Sequence, residues 1–150
     1  ELFLQTGMRI SELANLRVED VRKNDVFIRS LENNPARTIP LGRGAATAVQ
    51  NYLSLRPAVK DDHLFVTKTG RPLLIRNIRT SIDRYFKKAG LKGAKVNDLR
   101  HTFIAHQLKN GVHPEVVYKH VGHKRLSSTQ KYLEFIEIKE EATLSRILEI

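Results

Sequence analysis

The chain has 150 residues, of which 41% are hydrophobic and 28% are charged, and its formal net charge is +10 at pH 7. This size fits one domain with a buried core. The sequence has no cysteine, no apolar run near the roughly 20 residues that span a bilayer and no signal segment, so disulfides, thiol chemistry and membrane insertion are excluded and a soluble, cytoplasmic protein is predicted.

The first half of the chain is predicted to contain helices and a small sheet. ELFLQTG (1–7) is typical of the last turns of a helix whose beginning is absent, so we expect a fragment of a longer protein. Residues 25–30 and 36–41 read as strands on either side of the turn-forming SLENNP, which predicts an antiparallel hairpin. Residues 43–56 have helical spacing, and HLFVTKTGRPL (63–73) is a candidate third strand with a turn.

The second half is predicted to be helical. Residues 75–89 combine one apolar stripe with basic positions, and residues 98–110 and 114–121 each end before a glycine. The tail is an amphipathic segment, and we expect it to dock either on its own domain or on a neighbouring subunit. Its apolar positions are Ile138, Ala142, Leu144, Ile147 and Leu148. The predicted fold is mainly α with a small antiparallel β-sheet at one edge (α+β), forming a single domain over residues 1–150.

The positive charge is concentrated in the middle of the chain. Residues 68–131 contain 15 Lys and Arg against 3 Asp and Glu, a net charge of +12. Clustered cations gain affinity for a phosphate backbone by releasing its counterions, so double-stranded DNA is the predicted partner. A solvated basic face is the alternative. The residues we expect to contact DNA are Arg71, Arg76, Arg79, Lys124 and Arg125.

Four short motifs stand out by their order and spacing. They are TGMRISEL with Arg9 and Glu12, NDLRHTF with Asn97, Arg100 and His101, a Gly-His pair at Gly122 and His123, and TQKYL with Tyr132. Taken singly, each fits a packing or surface role. Together they resemble the catalytic domain of the tyrosine recombinase, or phage integrase, family of the Xer/integrase kind, over nearly the whole chain.

The resemblance implies a fold, a reaction and a site. The fold is the tyrosine recombinase catalytic domain without its N-terminal core-binding domain, and the reaction is site-specific DNA cutting and rejoining through a covalent 3′-phosphotyrosine. The implied catalytic residues are Arg9, Asn97, Arg100, His123 and the nucleophile Tyr132, with Glu12 and His101 supporting them. The family uses no cofactor or metal, and it implies a homo-oligomer on DNA, a tetrameric synapse.

Elementary chemistry explains why such residues would be gathered. Attack on a phosphodiester builds negative charge on two oxygens, which guanidinium groups meet with paired donors, as expected of Arg9 and Arg100. A free phenol has a pKa near 10, so we expect cationic neighbours to favour the phenolate of Tyr132. His123 can donate to the same phosphate while its other ring nitrogen holds its orientation.

Two positions depart from the family pattern. The family has a lysine in the sheet turn that protonates the departing 5′ oxygen, and SLENNP has none; Arg29 and Arg37 lie close in sequence but give up protons reluctantly. Asn97 stands where the family has histidine. Lys68 is a candidate replacement. The alternatives are a catalytically impaired DNA-binding protein of the same fold and, disfavoured by the phrase LRHTF, a type IB topoisomerase.

A metal site is not predicted. His120 and His123 are three residues apart, but Gly122 should break the helix between them. The acidic pairs at 19–20 and 61–62 are interpreted as solvated helix-end or turn charges.

Overall fold

The computed structural model describes the backbone of residues 1–148 and the side chains of residues 1–137. The amphipathic pattern predicted for 138–148 therefore lies outside the described side chains, and the choice between its two docking modes stays a prediction. Among the described residues, no helix is long and apolar enough to span a membrane.

Seven α-helices and two strands make up the described part of the chain. In chain order they are α1 (Leu2–Thr6), α2 (Ile10–Ala14), β1 (Asp25–Ile28), β2 (Arg37–Pro40), α3 (Arg43–Leu55), α4 (Ile75–Lys88), α5 (Val96–Lys109), α6 (Pro114–Val121) and α7 (Ser127–Leu148). A short 3₁₀ turn, Val18–Asp20, separates α2 from β1. The helix-rich α+β class is confirmed.

The sheet is one antiparallel hairpin. Val26 pairs with Ile39, and both side chains are fully buried against the helices. Glu32 and Asn33 have positive φ at the turn, where Leu31 and Asn34 exchange backbone hydrogen bonds. The turn residues named in the sequence therefore do form the hairpin connection, with Glu32 and Asn33 exposed and Asn34 buried.

The third strand predicted over residues 63–73 is wrong. This segment makes only the isolated bridges Arg17↔His63 and Val66↔Pro72. It turns back on itself because Thr67 and Arg71 are hydrogen-bonded across a tight turn that contains Gly70 at φ 79°. A segment that folds onto itself within four residues has no length left to extend the sheet.

Two apolar clusters form the core. The first joins the sheet to the helices α1 to α4 around Leu16, Ile39 and Leu64, and the second lies between α5, α6 and α7 around Ile104 and Val121. They meet where α1 packs on α5. There Gly7, at φ 61°, ends α1 and approaches the ring of Phe103 so closely that a Cβ would lie 2.5 Å from Cδ1. This contact fixes α5 beside the loop that carries Arg9.

Candidate active site

Arg9 is positioned by its own loop and by a carboxylate one turn later. It precedes α2, and its backbone N–H donates to Oε2 of Glu12 at 2.7 Å while Nη1 donates to Oε1 at 3.1 Å. Its Nη2 donates to the carbonyl of Gly122 at 2.7 Å. The Glu12 carboxylate therefore holds Arg9, and Arg9 in turn holds the backbone beside His123.

Arg37 on β2 completes this arrangement. Its Nη1 and Nη2 donate to both oxygens of Glu12 at 2.8 and 2.9 Å, and its Nε donates to the carbonyl of His120 at 2.7 Å. Burial raises the pKa of Glu12, but hydrogen bonds from Arg37 and the Arg9 backbone outweigh it and hold that pKa below its usual value. A Cβ at Gly122 would lie 2.7 Å from Arg37 Nη1, so glycine is required there.

We call Glu12, Arg37 and Arg9 the brace. It links three segments that are far apart in sequence: the start of α2, the second strand and the end of α6. The carboxylate of Glu12 is buried between the guanidinium groups of Arg9 and Arg37. Its two oxygens accept hydrogen bonds from both of them, which compensates for burying the negative charge.

Arg100 lies on α5 with only 8% of its surface exposed. Its Nη1 donates to the carbonyl of Gly7 at 2.6 Å, which anchors the side chain next to the Arg9 loop. Burial, followed by repulsion from Arg9, lowers its pKa to about 10, so the guanidinium remains charged at neutral pH. A guanidinium has five N–H donors, and those beyond Nη1–H···O Gly7 can serve an anion between Arg100 and Arg9.

His123 follows directly after the end of α6, which Gly122 closes in the left-handed conformation at φ 65°. Its Nδ1 lies 2.8 Å from Oγ1 of Thr129, which is fully buried at the start of α7. Burial, then the positive charges of Arg100 and Arg9, lower the pKa of His123 to about 4. The imidazole is therefore neutral at physiological pH.

Tyr132 lies on α7, half-buried, with its ring centroid 6.5 Å from that of His123. Its hydroxyl is hydrogen-bonded to Nδ1 of His101. Burial raises the pKa of Tyr132, and the charge of Arg100 only partly opposes this. The cationic neighbour Arg100 therefore does favour the phenolate, as expected, but desolvation of the phenol is the larger effect and the net pKa is raised.

The structure thus brings together most of the residues singled out from the sequence. Arg9, Arg100, His123 and Tyr132 are joined by direct contacts, by Glu12 and His101, or by charge interactions. Asn97 is exposed one turn before Arg100. Lys68 is exposed in the tight turn that contains Gly70, and its role as a replacement acid stays a prediction.

The residues expected to contact DNA are all exposed. Arg76 and Arg79 lie on α4, Arg71 lies just before it, and Lys124 and Arg125 follow His123 directly. Surface exposure fits either DNA contact or a solvated face, so their role stays a prediction.

His120 and His123 do not converge on a common point. His120 stacks on Phe103 with 5.2 Å between ring centroids, whereas His123 bonds to Thr129. Within the described residues, one group could offer three metal ligands, Asp61, Asp62 and His63. Asp62 pairs with Arg17 and Asp61 with His63 while Asp62 stays exposed, which fits the interpretation of this pair as turn charges. The interpretation as solvated charges is wrong for Asp20, which is buried and hydrogen-bonded to Arg29.

Sequence reasoning missed two residues of this site. Arg37 was noted only as close in sequence to the turn, and Thr129 was not noted at all. The alternation of strand β2 placed Ile39 in the core, and Arg37 has the same parity, which was a usable signal that its side chain points inward. Thr129 gave no signal, because its contact with His123 depends on how α7 follows the loop.

Comparison with known proteins identifies the family. The model of the phage integrase family matches residues 1–136, and the chain belongs to that family.

Several curated relatives are tyrosine recombinases. The chain is 36% identical over 137 residues to tyrosine recombinase XerC of Staphylococcus carnosus, covering 88% of this chain and 46% of the relative. It is 36% identical over 139 residues to XerD of Halalkalibacterium halodurans, covering 88% and 46%. The chain therefore spans about half the length of these relatives.

Solved structures agree with this fold. The crystal structure of XerA recombinase superimposes with a TM-score of 0.81 at 29% identity, covering 87% of this chain and 49% of that one. A XerH site-specific recombinase bound to a palindromic difH substrate superimposes with a TM-score of 0.80 at 23% identity, covering 96% and 43%, which speaks for the fold alone. The tyrosine recombinase catalytic fold predicted from the motifs is confirmed.

Proposed function

We propose that this chain is the catalytic part of a site-specific DNA recombinase that cuts and rejoins strands through a covalent 3′-phosphotyrosine on Tyr132. The observation that carries the proposal is the convergence of Tyr132, His123, Arg100 and Arg9 on one site from three regions of the chain. The family membership and the recombinase names of the relatives support it. These names favour strand exchange over relaxation by a type IB topoisomerase.

In the proposed cleavage, Arg9 and Arg100 bind the two non-bridging oxygens of the scissile phosphate. The Tyr132 hydroxyl oxygen attacks phosphorus, the bond to the 5′ oxygen breaks, and the 3′ phosphate stays attached to the protein. Rejoining is the reverse, with a 5′ hydroxyl as the attacking group. The energy of the broken bond is kept in the phosphotyrosine, so no other energy source is needed.

His123 is proposed as a neutral donor to the same phosphate. Because its pKa is about 4, the imidazole is neutral at physiological pH and carries one N–H. When Thr129 Oγ1 donates to Nδ1, that N–H is on Nε2, which is then the donor to the phosphate. A hydrogen bond from a fixed neutral group adds stabilisation as charge develops on the phosphate oxygens. Asn97 is proposed to assist only weakly, because its amide can donate but cannot transfer a proton.

The proposed partner is double-stranded DNA, contacted by the exposed basic residues of α4 and of the loop after His123. By the family resemblance, the whole protein has a core-binding domain before this one and acts as a homo-oligomer, a tetramer in the synapse. Since DNA is the proposed substrate, the cytoplasm is the proposed place of action.

A trapping assay tests the proposal. The full-length protein is incubated with nicked duplexes from the DNA that flanks its own gene and run on a denaturing gel, beside Tyr132→Phe. We expect a protein-DNA adduct with the wild type and none with Tyr132→Phe. The matched control is Tyr85→Phe, which alters an exposed tyrosine of α4 and should leave the adduct unchanged.

Binding of the same duplexes is followed by mobility shift. Duplexes that are bound without any adduct would contradict the proposed cleavage and favour the DNA-binding alternative, in which the missing turn lysine and Asn97 have removed activity.

A further inference from the structure

His101 faces the hydroxyl group that the proposed function makes the nucleophile. Its Nδ1 is hydrogen-bonded to the Tyr132 oxygen, and the two ring centroids lie 5.8 Å apart with the planes inclined by 35°. His101 is on α5 and Tyr132 is on α7, so packing of two helices creates the contact. Both residues line a groove that is open to solvent, together with Ala105 and Phe135.

The sequence offers a reason for this placement. Asn97 occupies the position at which the family has its first histidine, and an asparagine amide does not accept a proton at neutral pH. His101 follows it by four residues on the same helix, so the two positions share one face. An imidazole is thus available one helical turn away from where the resemblance would place it.

The other histidine of the site is already engaged. His123 has its Nδ1 at 2.8 Å from Thr129, and its ring lies 6.5 Å from that of Tyr132 between centroids. Burial raises the pKa of the Tyr132 phenol, so this hydroxyl holds its proton at neutral pH and needs an acceptor when it attacks. His101 is hydrogen-bonded to that hydroxyl, and its Nδ1 accepts the phenol proton when the imidazole carries its own proton on Nε2.

We propose that His101 is the general base that deprotonates Tyr132, an inference that rests on the proposed cleavage function. With its own proton on Nε2, the imidazole accepts the Tyr132 proton at Nδ1 while the phenol oxygen bonds to phosphorus. The bond from phosphorus to the 5′ oxygen breaks, and that oxygen takes a proton from solvent water. His101 is exposed, so its imidazolium exchanges the proton with water or returns it to Tyr132 during rejoining.

The test compares two nicked duplexes, one with the ordinary 5′ oxygen at the scissile phosphate and one with sulfur in its place. Sulfur leaves without being protonated, so this substrate rescues the loss of a general acid and does not rescue the loss of a general base. We expect His101→Ala in the full-length protein to slow adduct formation by about 10² or more on both duplexes. Affinity for the duplexes should be unchanged.

Two further variants separate catalysis from structure. His106→Ala removes an exposed histidine from the same helix and should keep the wild-type rate. His101→Gln can still hydrogen-bond to the Tyr132 hydroxyl but cannot take its proton, so it should be as slow as His101→Ala. A wild-type rate for His101→Gln would assign the residue a positioning role and overturn the proposal.

The remaining outcomes are also decisive. A defect of His101→Ala confined to the oxygen duplex would make His101 an acid, and an unchanged rate on both duplexes would remove it from catalysis. Either result overturns this inference while the wild-type adduct still supports the cleavage function. If the wild type forms no adduct on either duplex, the proposed function fails, and this inference with it.

Discussion

Single side chains in this site are governed by desolvation as much as by their charged neighbours. Arg100 is buried yet charged, because its pKa of about 10 lies well above neutral pH. His123 is neutral and Tyr132 is protonated, both chiefly because burial disfavours their ionised forms. The DNA-free site therefore holds two fixed cations and two neutral groups, an arrangement that can receive one phosphate without first losing a proton.

Arg100→Ala tests the fixed cation that is most buried. We expect cleavage to fall by at least about 10²–10³, because a preorganised donor to the developing charge is lost. Non-specific duplex affinity should stay nearly unchanged, since it is summed over many phosphate contacts. Arg79→Ala, an exposed control on α4, should weaken binding and preserve the cleavage rate at saturating DNA. Equal loss of binding and cleavage in Arg100→Ala would count against its assigned role.

The lowered pKa of His123 predicts a pH dependence of stability. Because the folded protein holds this group near pKa 4 and an unfolded chain near 6.5, the unfolded state binds more protons between these values. Stability of the DNA-free protein should be full above pH 6.5 and fall as pH drops toward 4. Urea unfolding at pH 7 and pH 5 measures this, and His123→Gln should shrink the difference. An NMR titration of His123 with a midpoint at or above 6.5 would refute the assignment.

Among the elements, the β1–β2 hairpin is one place where the family resemblance predicts a difference in proton chemistry. Its turn carries Glu32 and Asn33 at φ 50° and 63°, and both are exposed. The family resemblance implies a lysine in this turn that would protonate the departing 5′ oxygen, and SLENNP has none. The strands themselves are well fixed, because Val26, Ile28 and Ile39 are buried in the first core cluster.

Glu32→Lys should raise the cleavage rate. Lysine and glutamate are both ordinary L-residues, so the positive φ costs the backbone about the same in either case, and a general acid typically contributes about 10²–10⁴ in rate. We expect a gain of about tenfold or more on an ordinary duplex and little change on a duplex with a 5′ sulfur leaving group. Glu32→Gln is the control for simply removing a negative charge near DNA. If Glu32→Lys and Glu32→Gln raised the cleavage rate equally, the gain would come from tighter DNA binding and not from a general acid.

On the scale of the whole molecule, the brace is what joins the hairpin, the Arg9 loop and the end of α6. Glu12 is 4% exposed and shares its two oxygens between Arg37 and Arg9. Through the carbonyls of His120 and Gly122, the two guanidinium groups also hold the backbone from which His123 projects. The relative placement of Arg9 and His123 thus depends on a residue that need not touch DNA.

Arg37→Gln should be strongly destabilising, by about 3–5 kcal/mol, because it leaves the buried Glu12 carboxylate without its bidentate partner. Adding Glu12→Gln should recover part of that loss, since the uncompensated charge is then gone. The free energy of urea unfolding gives both values. Arg22→Gln, which removes an exposed partner of Asp25, should cost less than about 1 kcal/mol. If Arg37→Gln also lowered the free energy of unfolding by less than about 1 kcal/mol, the brace would stabilise the fold no more than an exposed ion pair does.

The sequence by itself determined most of the helices, the hairpin, the basic middle region and the family, but not α2 or the start of α7. Hydrophobic periodicity and the helix-ending effects of glycine and proline depend only on neighbouring residues, so the bounds of Pro114–Val121 were predicted to the residue. The four motifs could likewise be recognised from the sequence alone. The third strand failed because a tight turn at Gly70 overrides a strand-like composition.

Only the tertiary structure decided which groups meet and how they ionise. Arg37 reaches Glu12 across 25 residues, and His101 reaches Tyr132 across 31. These contacts arise because the Arg37 side chain reaches from β2 to Glu12 on α2 and to the His120 carbonyl on α6, and because α7 packs on α5. The raised pKa of Tyr132 follows from the same packing, since desolvation depends on what surrounds a group in space and not on its neighbours in sequence.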